Sequence, residues 1–147
     1  MKILIALILI TFVSISSISA QNKPDAIVGK WITEKGNCIV EVYKDKNQYK
    51  GKVLWFDVKN KKPMDQWTDE KNPNAALRSR KLVGLEILDN LKYDPSSNEW
   101  VDGQIYDATT GKKWDSVVWL TNNKQLKVKG YWVFKFLSQT RTFKRVL

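Results

Sequence analysis

Any chemistry in this chain must come from carboxylates, amides, guanidinium groups and indoles, because it holds no histidine and one cysteine, Cys38. Without imidazole, the usual base of serine and cysteine triads and the commonest zinc ligand are missing. A lone thiol forms neither a thiolate metal site nor an internal disulfide. Between Asn37 and Ile39, in an apparent strand, Cys38 suits the role of a small buried hydrophobe. Carboxylate pairs such as Asp102 with Asp115 or Asp107 meet the minimum for a glycosidase, but their spacing is equally that of turns. No phosphate-cradling glycine loop occurs. The expectation is a protein with no metal, no cofactor and no catalytic constellation.

Binding chemistry is better represented. In "KNPNAALRSR", Lys71, Asn72, Arg78 and Arg80 can converge on an anion, with the turn at Pro73 setting their geometry. The alternative is that Asn72 or Asn74 caps a short helix and the arginines pair with Asp65, Asp69 or Glu70. Seven tryptophans, at positions 31, 55, 67, 100, 114, 119 and 132, each offer a large apolar plate with one donor. Such plates suit a pocket for an aromatic or lipid-like molecule, or the filling of a narrow core. Tyr106 and Trp114 flank the turn in "DGQIYDATTGKKW" and are expected to face each other across it, as a rim site or as hairpin packing.

These residues need elements to position them, and the patterning from Ile27 onward is that of strands. Short alternating runs bounded by turn residues predict eight of them, over 27–33, 38–44, 48–57, 82–89, 99–106, 113–121, 125–132 and 140–146. "EKGN", "DKNQ", "DATTGK" and "TNNK" carry the Gly, Asn and Asp of tight hairpins, and "YDPSSN" makes another turn. Sequential hairpins of this kind close most economically as an all-β, up-and-down antiparallel barrel, since closure removes exposed edges. Alternation sets Val40 and Val42 opposite Glu41 and Tyr43, sets Gly51, Val53 and Trp55 on the inward face opposite the outward Lys50 and Lys52, and puts Arg141, Phe143 and Arg145 together near the C-terminus. The segment 58–81 is too long for a hairpin loop; with Met64, Trp67 and Leu77 to pack, it reads as an ordered flap with a short helix over one mouth.

Residues 1–20 place Lys2 ahead of an apolar run and end in Ser-rich sequence at Ala20, as a secretory signal does. The run is short for a bilayer span, which needs about 20 apolar residues. The expectation is export, to periplasm or exterior, after cleavage near Ala20, leaving one domain over 21–147. Cleavage removes Lys2 and no acid, so 25 basic and 15 acidic side chains become 24 and 15, a net +9. That field favours anionic envelope components or simply solubility. Export and the lack of an Arg/Lys block argue against nucleic acid, and a monomer is expected.

Gly29, Trp31 and Arg145 together resemble the signature of lipocalins and the wider calycin group, in which the Trp closes the barrel floor and the Arg stacks across it. First and last strands of a closed barrel are neighbours, and a guanidinium over an indole gains about 0.5–2 kcal/mol. A closer resemblance spans nearly the whole mature chain: "GKWIT", "YKGKVLWF", "DEKNPNAALRSRKLVGLEIL", "EWVDGQIYDATTGKKWDS", "LKVKGY" and "TRTFKRV" are similar, in order, to blocks of the bacterial family called domain of unknown function 2147. It implies a small exported lipocalin-like barrel and no established activity. Ala108, Lys129 and Phe143 depart from the family pattern, where proline, arginine and tryptophan are common. The ligand-contact candidates are therefore Trp55, Lys71, Asn72, Arg78, Arg80, Tyr106, Trp114, Lys129 and Tyr131. The leading expectation is a small apolar or amphipathic ligand held inside the barrel. The alternative is a packed barrel docking through its basic outer face on an anionic polymer, membrane or partner.

Overall fold

The computed structural model describes residues 22–59, 61–132 and 134–147, so the segment 1–20, expected to be a leader, and the side chain of Trp132 lie outside the described residues. The chain forms β1 (Gly29–Thr33), β2 (Cys38–Asp45), β3 (Gln48–Phe56), β4 (Glu86–Asp94), β5 (Glu99–Asp107), β6 (Lys112–Leu120), β7 (Leu126–Trp132) and β8 (Phe134–Arg145). Each pairs antiparallel with the next, and β8 returns to β1, giving a closed eight-stranded barrel.

Three boundaries differ from the patterning. Ile27 belongs to a 3-10 turn, Pro24–Ile27, started by proline, rather than to β1. Residues 82–85 are a turn, with Gly84 at φ +81° and Leu85 N–H bonded to Leu82 O, so β4 starts at Glu86 and runs on to Asp94. β8 starts six residues early, because the sequence between β7 and β8 lacks the Gly, Asn or Asp that marked other hairpins.

A β-bulge corrects one face assignment. Val40 pairs with Val53 but Ile39 pairs with Trp55, so Leu54 is an extra residue on β3. The extra residue inverts the alternation beyond it. Val53 stays buried, and Trp55 turns to the outside, 39% exposed. At the other end of the sheet, Phe143 packs against the core while Arg141 stays exposed and bonds Gln139 Oε1 at 3.2 Å.

The floor lies where β1 begins and β8 ends. Trp31 is fully buried, and the Arg145 guanidinium sits over its ring at 4.2 Å. The same guanidinium donates to Val28 O at 2.9 Å and Ala26 O at 2.7 Å. Aromatic donors hold the rest of the entry segment: Trp31 Nε1 to Ile27 O, Trp100 Nε1 to Pro24 O, Tyr93 Oη to Asn22 O and Tyr49 Oη to Asp25. Residues 22–28 thus form a plug whose Ile27 is buried completely. Gly29, at φ +138°, lets the arginine pass, since a Cβ there would stand 2.5 Å from Arg145 Nη1.

Arg145→Lys removes one of two carbonyl contacts and the planar stack. We expect a loss of about 2 kcal/mol in urea unfolding, with Trp31 emission shifting to longer wavelength; unchanged stability would contradict this account of the floor.

Candidate functional site

The interior above the floor is apolar. Val40 and Val42 of β2, Leu126 and Val128 of β7 and Leu88 of β4 form buried walls over Trp31, and the partly buried Ile87, Ile105 and Phe143 complete a cup. Its volume is about 30 Å³, room for a methyl group or a water molecule. Trp114 shares this inner side: it pairs with Ile105, and the Gly130 Cα faces its side chain. Tyr106 pairs with Lys113 instead, so Tyr106 and Trp114 do not face each other. Alternation along β5 sends Ile105 inward and Tyr106 outward.

The described residues of the segment 58–81 are anchored at the rim opposite the floor. Trp67 meets Phe56 edge-on at 6.1 Å, Phe56 N–H donates to Met64 Sδ, and Thr68 bridges to Lys81. The expected short helix is the single 3-10 turn Ala75–Leu77, capped by Asn74, and a second 3-10 turn, Met64–Gln66, precedes it. The Lys71 carbonyl packs directly on Gly111 in the β5–β6 turn, where no side chain has room.

The four residues singled out in "KNPNAALRSR" do not share one role. Asp69, fully buried, accepts from Tyr106 Oη at 2.6 Å, Asn72 Nδ2 at 2.7 Å and Arg80 Nη2 at 2.8 Å. Arg78 Nε donates to Asn72 O at 2.8 Å, and Asn74 caps the following turn by accepting from Ala76 N–H. The anion at the centre of the cluster is the chain's own carboxylate. Burial pushes Asp69 up, but the bonds from Tyr106, Arg80 and Asn72 outweigh it and leave the carboxyl below its ordinary value. Burial, helped by the bond to Asp69, raises Tyr106 to about 12. The exposed side chain of Lys71 takes no part in these bonds. The cluster lies outside the wall, over Tyr106, and does not line the cup.

Other candidates are spread over the outer surface. Trp55 is outward, and Lys129 pairs with Val117 on the face opposite the cup-lining Val128. Tyr131 lines an open polar groove of about 310 Å³ with Asn90, Asp102, Gln104 and Asp115, which brings the Asp102 and Asp115 carboxylates to one depression. Burial pushes the half-buried Cys38 thiol up, away from thiolate character. Among the described residues, no group of three His, Cys, Asp or Glu side chains is placed to hold a metal.

A closed eight-stranded antiparallel barrel, plugged at one end and apolar within, defines a lipocalin-like protein. A solved Helicobacter pylori protein, HP1028, described as belonging to the lipocalin family, has this fold: TM-score 0.69, 23% identity, with 82% of this chain and 83% of that one covered. Residues 29–145 match the model of a family described as uncharacterized protein conserved in bacteria, DUF2147, and the chain belongs to that family. No curated protein sequence matches it.

Asp69→Asn should cost about 2–4 kcal/mol, because it removes the charge that Arg80 and Tyr106 were arranged around. The folded carboxyl titrates below its unfolded value, so the wild-type advantage is full above about pH 4 and shrinks as pH falls through the lower folded pKa. Urea unfolding of both proteins at pH 7 and pH 3 checks this, and a gap that persists unchanged at pH 3 would contradict it.

Proposed function

We propose that this chain works outside the cytoplasm, after removal of its leader, as a monomeric lipocalin-like protein that sequesters a small apolar or amphipathic molecule inside the barrel. The observation that carries the reading is the cup above Trp31, lined throughout by apolar side chains. At about 30 Å³ the cup is nearly closed, so a ligand of any size must displace side chains. Ile87, Ile105 and Phe143 are the partly buried part of the lining and have the most freedom to yield. Each methylene transferred from water contributes about 0.8 kcal/mol, so an eight-carbon tail supplies about 6 kcal/mol against that rearrangement. Basic side chains outside add attraction for an acidic head at the mouth without changing what the interior prefers.

The test is titration with N-phenyl-1-naphthylamine, a neutral apolar dye, followed by fluorescence. We expect saturable binding that is insensitive to salt up to physiological ionic strength. Val128→Phe fills the cup and should weaken binding at least about tenfold with the circular dichroism of the barrel intact. Binding that survives Val128→Phe, or that fades with salt, would place the dye on the surface and overturn the reading.

A further inference from the structure

Ser116 is the odd residue of the inner wall. It lies on β6 two residues before Val118, a core residue with no exposure, so both side chains point into the barrel. Ser116 itself is fully buried, and its Oγ has no hydrogen-bond partner among the described residues. The neighbours across the sheet are both glycines, Gly103 on β5 and Gly130 on β7. On each of those strands, the next inward position lines the cup: Ile105 beyond Gly103, Val128 before Gly130. Ser116 does not itself line the cup: Leu91 fills the space over Gly103, and the cup-lining Ile105 covers Gly130, so a ligand reaches the hydroxyl by displacing Ile105.

The two glycines have packing reasons of their own. A Cβ on Gly103 would come within 2.8 Å of Leu91 Cγ, and one on Gly130 within 3.3 Å of Ile105 Cγ2. No such reason accounts for serine, because alanine fills the same space without a hydroxyl. Burying a hydroxyl that makes no bond is destabilising, and a partner brought in from outside the chain would remove that cost.

We propose that Ser116 is the polar anchor of the interior site, and that the molecule taken up there is neutral and largely apolar with one hydroxyl or carbonyl group. This rests on the reading of the cup as a ligand site. A carbonyl would accept from Ser116 Oγ, and a hydroxyl could accept or donate. Neutrality follows from the surroundings. The cup lining holds no charged side chain, and the buried carboxylate Asp69 lies outside the wall with its oxygens already bonded. A carboxylate or ammonium carried to Ser116 would be desolvated without a counter-charge. The acidic head expected from the protein's basic surface would sit at the mouth, whereas this site asks for an uncharged group in the interior.

The experiment measures displacement of N-phenyl-1-naphthylamine by 1-octanol and octanoate at neutral pH, in wild type and Ser116→Ala, with unfolding temperatures of both proteins alone. We expect octanol to displace the dye from wild type at lower concentration than octanoate. Ser116→Ala should weaken octanol about fivefold, the effect of one neutral hydrogen bond, once competition is corrected for each protein's own dye affinity. The variant alone should unfold at the same or a higher temperature, since it loses only an unpaired hydroxyl. If octanol is unaffected by the substitution, or octanoate competes better, the anchor is refuted while the cup stands. A fall in the variant's unfolding temperature would show the hydroxyl satisfied within the free protein and refute the anchor too. If the dye does not bind wild type at all, the cup reading fails and takes this proposal with it.

Discussion

One contact joins the two ends of the chain and gives the barrel its base: the Arg145 guanidinium lying on the Trp31 ring while its two terminal nitrogens reach the carbonyls of Ala26 and Val28. A closed barrel needs its first and last strands side by side, and an open end of that barrel needs a stopper. Arg145 serves both needs, because the strand pairing places it opposite Trp31 and its planar fork reaches past the strand to the entry segment. Around it, four aromatic side chains donate to acceptors of residues 22–27, three backbone carbonyls and the Asp25 carboxylate, and so hold the entry segment against the barrel. The apolar cup exists only because this base excludes water from below.

The architecture follows from residues that can be read in order. Turn chemistry spaced the hairpins, the glycine two positions before Trp31 left room for an arginine, and the closing strand carried that arginine at its end. What failed to read had local causes. Trp55 looked inward because strict alternation has no means of announcing the bulge at Leu54. Ile27 looked like the start of a strand, since one apolar residue before β1 carries no sign that Pro24 has begun a turn. β4 looked displaced because Leu82, Val83 and Leu85 are as apolar as the strand that follows them. In the rim loop the residue types were legible but the centre was not: Asp69 appeared as one of several acids, and only the fold lays it over Tyr106. Ser116 gave no signal at all, because a serine on an inward position is distinguished by its surroundings and not by its neighbours in sequence.

The barrel separates its polar work from its apolar work. Outside, a buried carboxylate with three donors ties the long loop to β5, and exposed pairs such as Lys52 with Glu41 and Lys44 with Asp25 line the strands. Inside, aliphatic and indole surfaces meet with almost no polar atoms. A buried ionic cluster is a poor source of net stability but a good device for fixing one conformation of a loop. Its place on the outer wall lets it fix the rim without putting charge into the interior.

The arginine at the base also bears on how the polypeptide reaches this form. Its carbonyl partner at Ala26 is 119 positions away along the chain, close to the full span of the described residues. Six pairings join sequence neighbours across short turns at small entropic cost and a seventh, β3 with β4, closes across the long rim segment, whereas the last seam must bring together the most distant segments. Contacts of that kind slow folding. Until the seam closes, the meander carries two open edges and an uncovered apolar face, so the slowest step is also the one at which self-association competes most directly with the native form.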